Sequence, residues 1–180
     1  MARSSAGVTL VELLVTIAIV AILVAIGFPS FQSSMRSNRV ATANNELMAS
    51  LSLARSEAIR SVRGGGLCAT SDGQSCSNSW SDGWHVWRAV EGATDGQFDK
   101  GHDLGIRQGS APTGLSVELK SSGGALVSTL PFDARGRPVG SGMPLAWTLT
   151  PESCPTGSEL VRTIQITAVG QTKSLRGNCP

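Results

Sequence analysis

Between Val8 and Phe28 the only polar side chains are Thr9, Glu12 and Thr16. Such a run is long enough to cross a bilayer as one helix, about 20 residues at ~1.5 Å each. A carboxylate at the centre of hydrocarbon costs about 2.5 kcal/mol or more, so Glu12 requires a partner or a task. Ahead of the run stand seven residues, Met-Ala-Arg-Ser-Ser-Ala-Gly, short, basic and ending in the small residue Gly7. A secretory signal peptide shares the basic start and apolar core, but its small residues follow the apolar segment. Here the small residue Gly7 precedes it. A plain single-span anchor explains the run and leaves Glu12 unexplained.

The helical pattern continues past Pro29. Apolar positions recur at Phe31, Met35, Val40, Ala43, Leu47, Leu51, Ala54, Ala58 and Val62, which forms one stripe at helical spacing. Pro29 removes a backbone donor and is expected to kink or loosen this helix without ending it. Arg60 and Arg63 suit the negative end of the helix dipole, and Gly64-Gly65-Gly66 is the expected stop. One helix of roughly 50 residues follows.

Beyond Gly66 short β-type runs alternate with Gly, Pro and Ser. The expected strands are 84–90, 115–119, 125–130, 145–150, 161–167 and 171–175. An amphipathic helix across an antiparallel sheet buries both apolar faces, so the fold class is α+β.

At 180 residues the chain suits one domain plus an anchor. Its formal charge of +2 hides a pattern. Residues 64–103 carry a net negative charge, with two basic side chains against six acids, whereas the segments before and after are net positive. The four cysteines all follow the apolar segment, as suits an exported domain in an oxidising compartment. Three pairings exist. The spacing favours Cys68–Cys76, closing a short loop, and Cys154–Cys179, tying the last strands together at about 3.5 kcal/mol in the chain-entropy model. Zinc is disfavoured, because no pair has C-x-x-C spacing and only His85 and His102 could assist.

Gly7-Val8-Thr9-Leu10-Val11-Glu12, with the apolar run behind it, resembles the processing site of type IV pilins and of the pseudopilins of type II secretion. The resemblance implies cleavage by prepilin peptidase between Gly7 and Val8, with methylation of the new Val8 amine. Val8 departs from the Phe that major pilins usually carry there. Three later phrases resemble the GspH/FimT group of minor pilins and pseudopilins: Leu53-Ala54-Arg55-Ser56-Glu57-Ala58-Ile59, Trp80-Ser81-Asp82-Gly83-Trp84-His85-Val86, and Phe132-Asp133-Ala134-Arg135-Gly136-Arg137-Pro138. The implied layout is a leader at 1–7, an assembly helix at 8–29, its amphipathic half at 30–66 and a periplasmic β domain at 67–180. A bacterial inner-membrane anchor and incorporation into a filament with other pilins are implied with it. In the family the carboxylate at Glu12 meets the N-terminal amine of a neighbouring subunit, which is how a buried charge becomes tolerable. Snorkelling to the membrane surface is the bland alternative.

Trp80, Trp84 and Trp87 with His85 could form a stacking platform, but side chains alternate along a strand. Trp84 and Val86 therefore pack on one face, and Trp87 lies on the opposite, exposed one. Asp95, Asp99 and Asp103 lack the spacing of a calcium loop, and a solvated hairpin is the expected arrangement. Some relatives bind DNA through a basic C-terminal segment, which makes Lys173 and Arg176, with Arg135 and Arg137, candidates by resemblance. Phosphate contact needs only Lys or Arg presented together; a solvated surface or an acidic neighbouring subunit uses the same charges. No nucleotide loop and no nucleophile with a base stands in the sequence, so a non-enzyme with no cofactor is expected. The leading reading is a type IV pilus minor pilin. An H-type pseudopilin of type II secretion and a DNA-binding module for transformation are the alternatives.

Overall fold

The computed structural model describes residues 7, 9–90, 98–140 and 142–180. Leader residues 1–6, Val8 and Asp95 lie outside the described residues. The chain divides into Met1–Ser37 and Asn38–Pro180.

Helix α1 runs Leu10–Ser61 and stays α-helical through Pro29. In the first unit its large apolar side chains are exposed, Leu10 at 74% and Phe28 at 58% among them. The helical stripe does not behave uniformly. Phe31 and Met35 are exposed, whereas Val40, Ala43, Leu47, Leu51, Ala54 and Ala58 are buried in the second unit. Val62, the last stripe position, falls beyond the helix and is exposed.

The second unit contains two four-stranded antiparallel sheets where the sequence suggested one. The strands are β1 Gly65–Ala69, β2 Trp84–Ala89, β3 Asp103–Gly109, β4 Leu115–Lys120, β5 Thr129–Phe132, β6 Leu145–Pro151, β7 Val161–Ile166 and β8 Thr172–Gly177. The first sheet has the order β3-β2-β1-β5 and the second β4-β6-β7-β8. Helix residues 40–58 share one apolar core with both sheets. Leu67, Trp84, Val86, Leu130 and Phe132 come from the first sheet; Val117, Leu119, Trp147, Leu149, Ile164 and Ile166 come from the second. Strict alternation along β4 and β6 delivers the inward side chains of those two strands. The α+β class stands, with its sheet split in two.

Three expectations require correction. Gly64-Gly65-Gly66 is not merely a helix stop, because β1 begins at Gly65 and lies between β2 and β5. A Cβ at Gly65 would meet the Trp87 carbonyl oxygen at 2.6 Å, and one at Gly66 the Leu130 carbonyl oxygen at 2.6 Å. These glycines permit close strand approach. The strand expected at 125–130 sits at Thr129–Phe132. Trp87 does lie on the opposite face from Trp84, but it is 1% exposed, packed with Cys68, Ala89 and Phe98.

Candidate functional site

Two sets of residues bear on function: the start of the apolar helix, and the phrases that fasten the helix to the sheets. At the start, Leu13 N–H donates to the Thr9 carbonyl (3.1 Å) and Glu12 N–H donates to Thr9 Oγ1 (3.3 Å). Thr9 is thus the N-cap, and Glu12 is the third residue after it, closing a Thr-x-x-Glu capping sequence. That spacing is a sequence signal for the helix start, and the structure brings it to notice. Glu12 also lies in the first turn, where the helix dipole favours an anion. Thr16 Oγ1 donates to the Leu13 carbonyl (2.8 Å), which satisfies its hydroxyl within the helix. Both threonines are therefore engaged locally, while the exposed Glu12 carboxylate has no side-chain partner among the described residues.

In the second unit the helix phrase Leu53–Ile59 anchors the helix to the sheets. Arg55 Nη1 donates to the Gly170 carbonyl (2.9 Å), tying the β7–β8 turn to the helix. Glu57, 7% exposed, holds Arg60 at 2.9 Å and Arg88 of β2 at 3.3 Å. Ala54 and Ala58 are fully buried. Two turns before Glu57, Ser50 Oγ accepts from Trp84 Nε1 (2.9 Å). The second phrase joins the two sheets: Trp80 Nε1 donates to the Val127 carbonyl (2.7 Å) and its ring meets Trp147 edge-on at 4.9 Å. Ser81 Oγ accepts from Val117 N–H (2.9 Å). In the third phrase, Asp133 accepts from the backbone N–H groups of Arg135 and Arg137 and from the Arg137 guanidinium. These bonds, led by that of the Arg137 backbone N–H, hold the Asp133 carboxyl below its ordinary range. Gly136, at φ 71°, lets this turn reach Ile59 and Arg55.

The cysteines pair as Cys68–Cys76 and Cys154–Cys179, with Cα separations of 5.6 and 5.4 Å. The four basic candidates are dispersed. Register places Arg176 opposite Arg162, on the face where Ser174 Oγ donates to Asn44 Oδ1 of the helix (2.8 Å), and Lys173 opposite Gln165 on the other face. Arg135 and Arg137 belong to the turn beside Gly170, which precedes β8, whereas Arg176 lies near the far end of that strand. Arg162 is buried and donates to the carbonyls of Glu159 and Val161. Burial, then the charge of Arg176, lowers its pKa.

Asp99 and Asp103 tie their own turn: Asp99 accepts from Gly101 N–H and contacts His102, and Asp103 accepts from Asp99 N–H. Among the described residues no three metal-ligating side chains converge.

An exposed apolar helix carrying one carboxylate, continued by a helix fastened to antiparallel sheets, defines a pilin-like protein. The chain belongs to the family described as type II transport protein GspH, whose model matches residues 43–170. A prokaryotic N-terminal methylation motif matches residues 2–28. The type IV minor pilin FimU of Pseudomonas aeruginosa shares the fold, with 23% identity and a TM-score of 0.53, over 76% of this chain and 87% of that one. So does the minor pseudopilin EpsH of the Vibrio cholerae type II secretion system, with 16% identity and a TM-score of 0.52, over 80% of this chain and 99% of that one. No curated protein sequence matches the chain. The chain is therefore a GspH-family protein with an N-terminal methylation motif, built on the fold that the minor pilin FimU and the minor pseudopilin EpsH share.

Proposed function

We propose that the chain is a minor pilin that primes or tips a type IV pilus, held before assembly by a single inner-membrane span with its C-terminal domain in the periplasm. Prepilin peptidase removes residues 1–7, and the amine of Val8 becomes available to a carboxylate such as Glu12 of a neighbouring subunit. The observation that carries the assembly reading is the exposed apolar surface of Leu10–Phe28 together with the side chain of Glu12. Removing that surface from water or lipid requires other helices, and a carboxylate among them requires a cation.

The pilus assignment draws on the likeness to FimU. The second reading, an H-type pseudopilin, is favoured by the description of the matching family. Deletion and complementation in the source bacterium separates the two. The pilus reading expects loss of surface pili and twitching with exoprotein secretion intact; the reverse phenotype assigns the chain to secretion. Intact mass of the membrane-extracted protein tests processing, and a product still beginning at Met1 removes the proposed maturation. DNA binding, the remaining alternative, requires Lys173 and Arg176 to act from opposite faces of β8.

A further inference from the structure

The face of the first sheet turned away from α1 carries a cavity of about 360 Å³ that the assembly helix does not use. Trp87 and Ala89 of β2, Pro131 and Val139, and Val62 and Arg63 beyond the helix end border it. Trp87 and Pro131 flank Gly66 of β1 in register, and β1 borders the cavity at Gly65, which carries no side chain.

Val62 provides a second observation. Its φ is 58°, a region that a β-branched residue enters only under strain. Its side chain is 76% exposed, so packing within the domain does not offset that strain. Glycine ordinarily terminates a helix in this conformation, and here valine takes the position although Gly64 stands two residues on. Backbone strain retained at an exposed position points to a functional contact.

Charge supplies the third observation. Arg63 is exposed and forms no ion pair among the described residues. Across the cavity, the Asp133 carboxylate is engaged by Arg137 and by its own turn. Among the described residues, the rim offers an uncompensated cation and no uncompensated anion.

We propose that this cavity is a docking socket for another pilin-like subunit, and that it receives an aliphatic or aromatic side chain adjacent to an Asp or Glu. The apolar side chain lies over Trp87 between Val62 and Val139, and the carboxylate meets Arg63. This inference deepens the assembly reading and rests on it.

The test uses the full chain in filament-producing cells, with photoreactive benzoylphenylalanine at Val139 and, in parallel, at Val15 in the assembly helix. Crosslinked peptides are mapped by mass spectrometry. The expected Val139 adduct is a pilin-like subunit, joined at an apolar residue within two positions of Asp or Glu, and Arg63→Glu reduces its yield at least fivefold. Val62→Gly is expected to leave the Tm unchanged or higher while lowering the same yield, which separates docking from folding. A Val139 adduct with residues 91–97 of the same chain, with lipid or with an exported protein overturns the socket. So does the absence of that adduct, or its indifference to both substitutions, while the Val15 probe still joins pilin helices. Loss of the Val15 adduct as well overturns the assembly reading and the socket together.

Discussion

The carboxylate of Glu57 reaches Arg88 at 3.3 Å from within the helix, tying α1 to the second strand of the first sheet. Glu57 is buried and also holds Arg60, so both of its oxygens are occupied. Replacing it with Gln retains the volume and removes the charge from two guanidinium groups. A loss of about 1.5–3 kcal/mol in urea unfolding is expected, the range for hydrogen bonds to charged groups. A double-mutant cycle with Arg88→Met is the check: additive losses would show that the two residues stabilise the domain independently.

Burial lowers the pKa of His85 from its ordinary 6.5. Its ring packs against Phe98 at 4.9 Å, and neither ring nitrogen has a partner among the described residues. The unfolded chain then binds the proton more readily than the folded one. Stability is full above pH 6.5 and falls as pH drops below it, until the lowered folded pKa is reached. Urea midpoints at about pH 7.5 and about pH 5.5, on either side of that value, test this. His85→Leu should flatten the decline, and an unchanged pH slope would assign the decline to other groups.

Gly66→Ala should be severe, because the new Cβ would meet the Leu130 carbonyl oxygen at 2.6 Å and the Pro131 Cα at 2.9 Å. Both contacts are backbone, in a strand paired on both sides, so neither yields easily. A loss of about 3 kcal/mol, the upper end for overpacking, is expected in thermal or urea unfolding. Gly124→Ala is the control, since nothing lies within 4 Å of its added Cβ, although its φ of 83° carries a backbone cost of about 1–2 kcal/mol.

Glu12→Ala should leave membrane insertion intact, because removing a carboxylate from an apolar segment eases insertion by about 2.5 kcal/mol or more. The cap survives, since its bond runs from the residue-12 backbone N–H to Thr9 Oγ1, and only the carboxylate's interaction with the helix dipole is lost, about 0.3–1 kcal/mol. Incorporation into filaments, measured by the fraction recovered in sheared material, should fall. Normal recovery would limit Glu12 to its local role at the helix start.

Replacing both Cys154 and Cys179 with Ser should lower stability by about 3.5 kcal/mol, given their separation of 25 residues. Peptide mapping of the unreduced protein should recover this pair and Cys68–Cys76. A Cys68 peptide joined to Cys154 or Cys179 would contradict the strand arrangement.

The helix was legible because its signal is local and periodic: apolar spacing, an acidic first turn and basic residues near the end specify α1 without reference to the rest of the chain. The strands whose side chains alternate, β4, β6 and β7, were legible for the same reason. Strand β1 was not. Its Gly-Gly start reads as a breaker, and only the two neighbouring backbones reveal why glycine is needed there. Edge strand β3 has mostly exposed side chains and offers no apolar alternation.

Candidate residues divide along the same line. Sequence by itself determined the apolar run, the position of Glu12 and the phrases that mark the family, since each is a contiguous pattern with its own chemistry. Tertiary structure decided that the sheet is two sheets, that Trp87 is buried, that Glu57 reaches Arg88, and that Lys173 and Arg176 face opposite ways. Those outcomes depend on strand register and on what covers each face. A shift of one residue in register exchanges the faces of an entire strand, and no local pattern in a short strand carries that information.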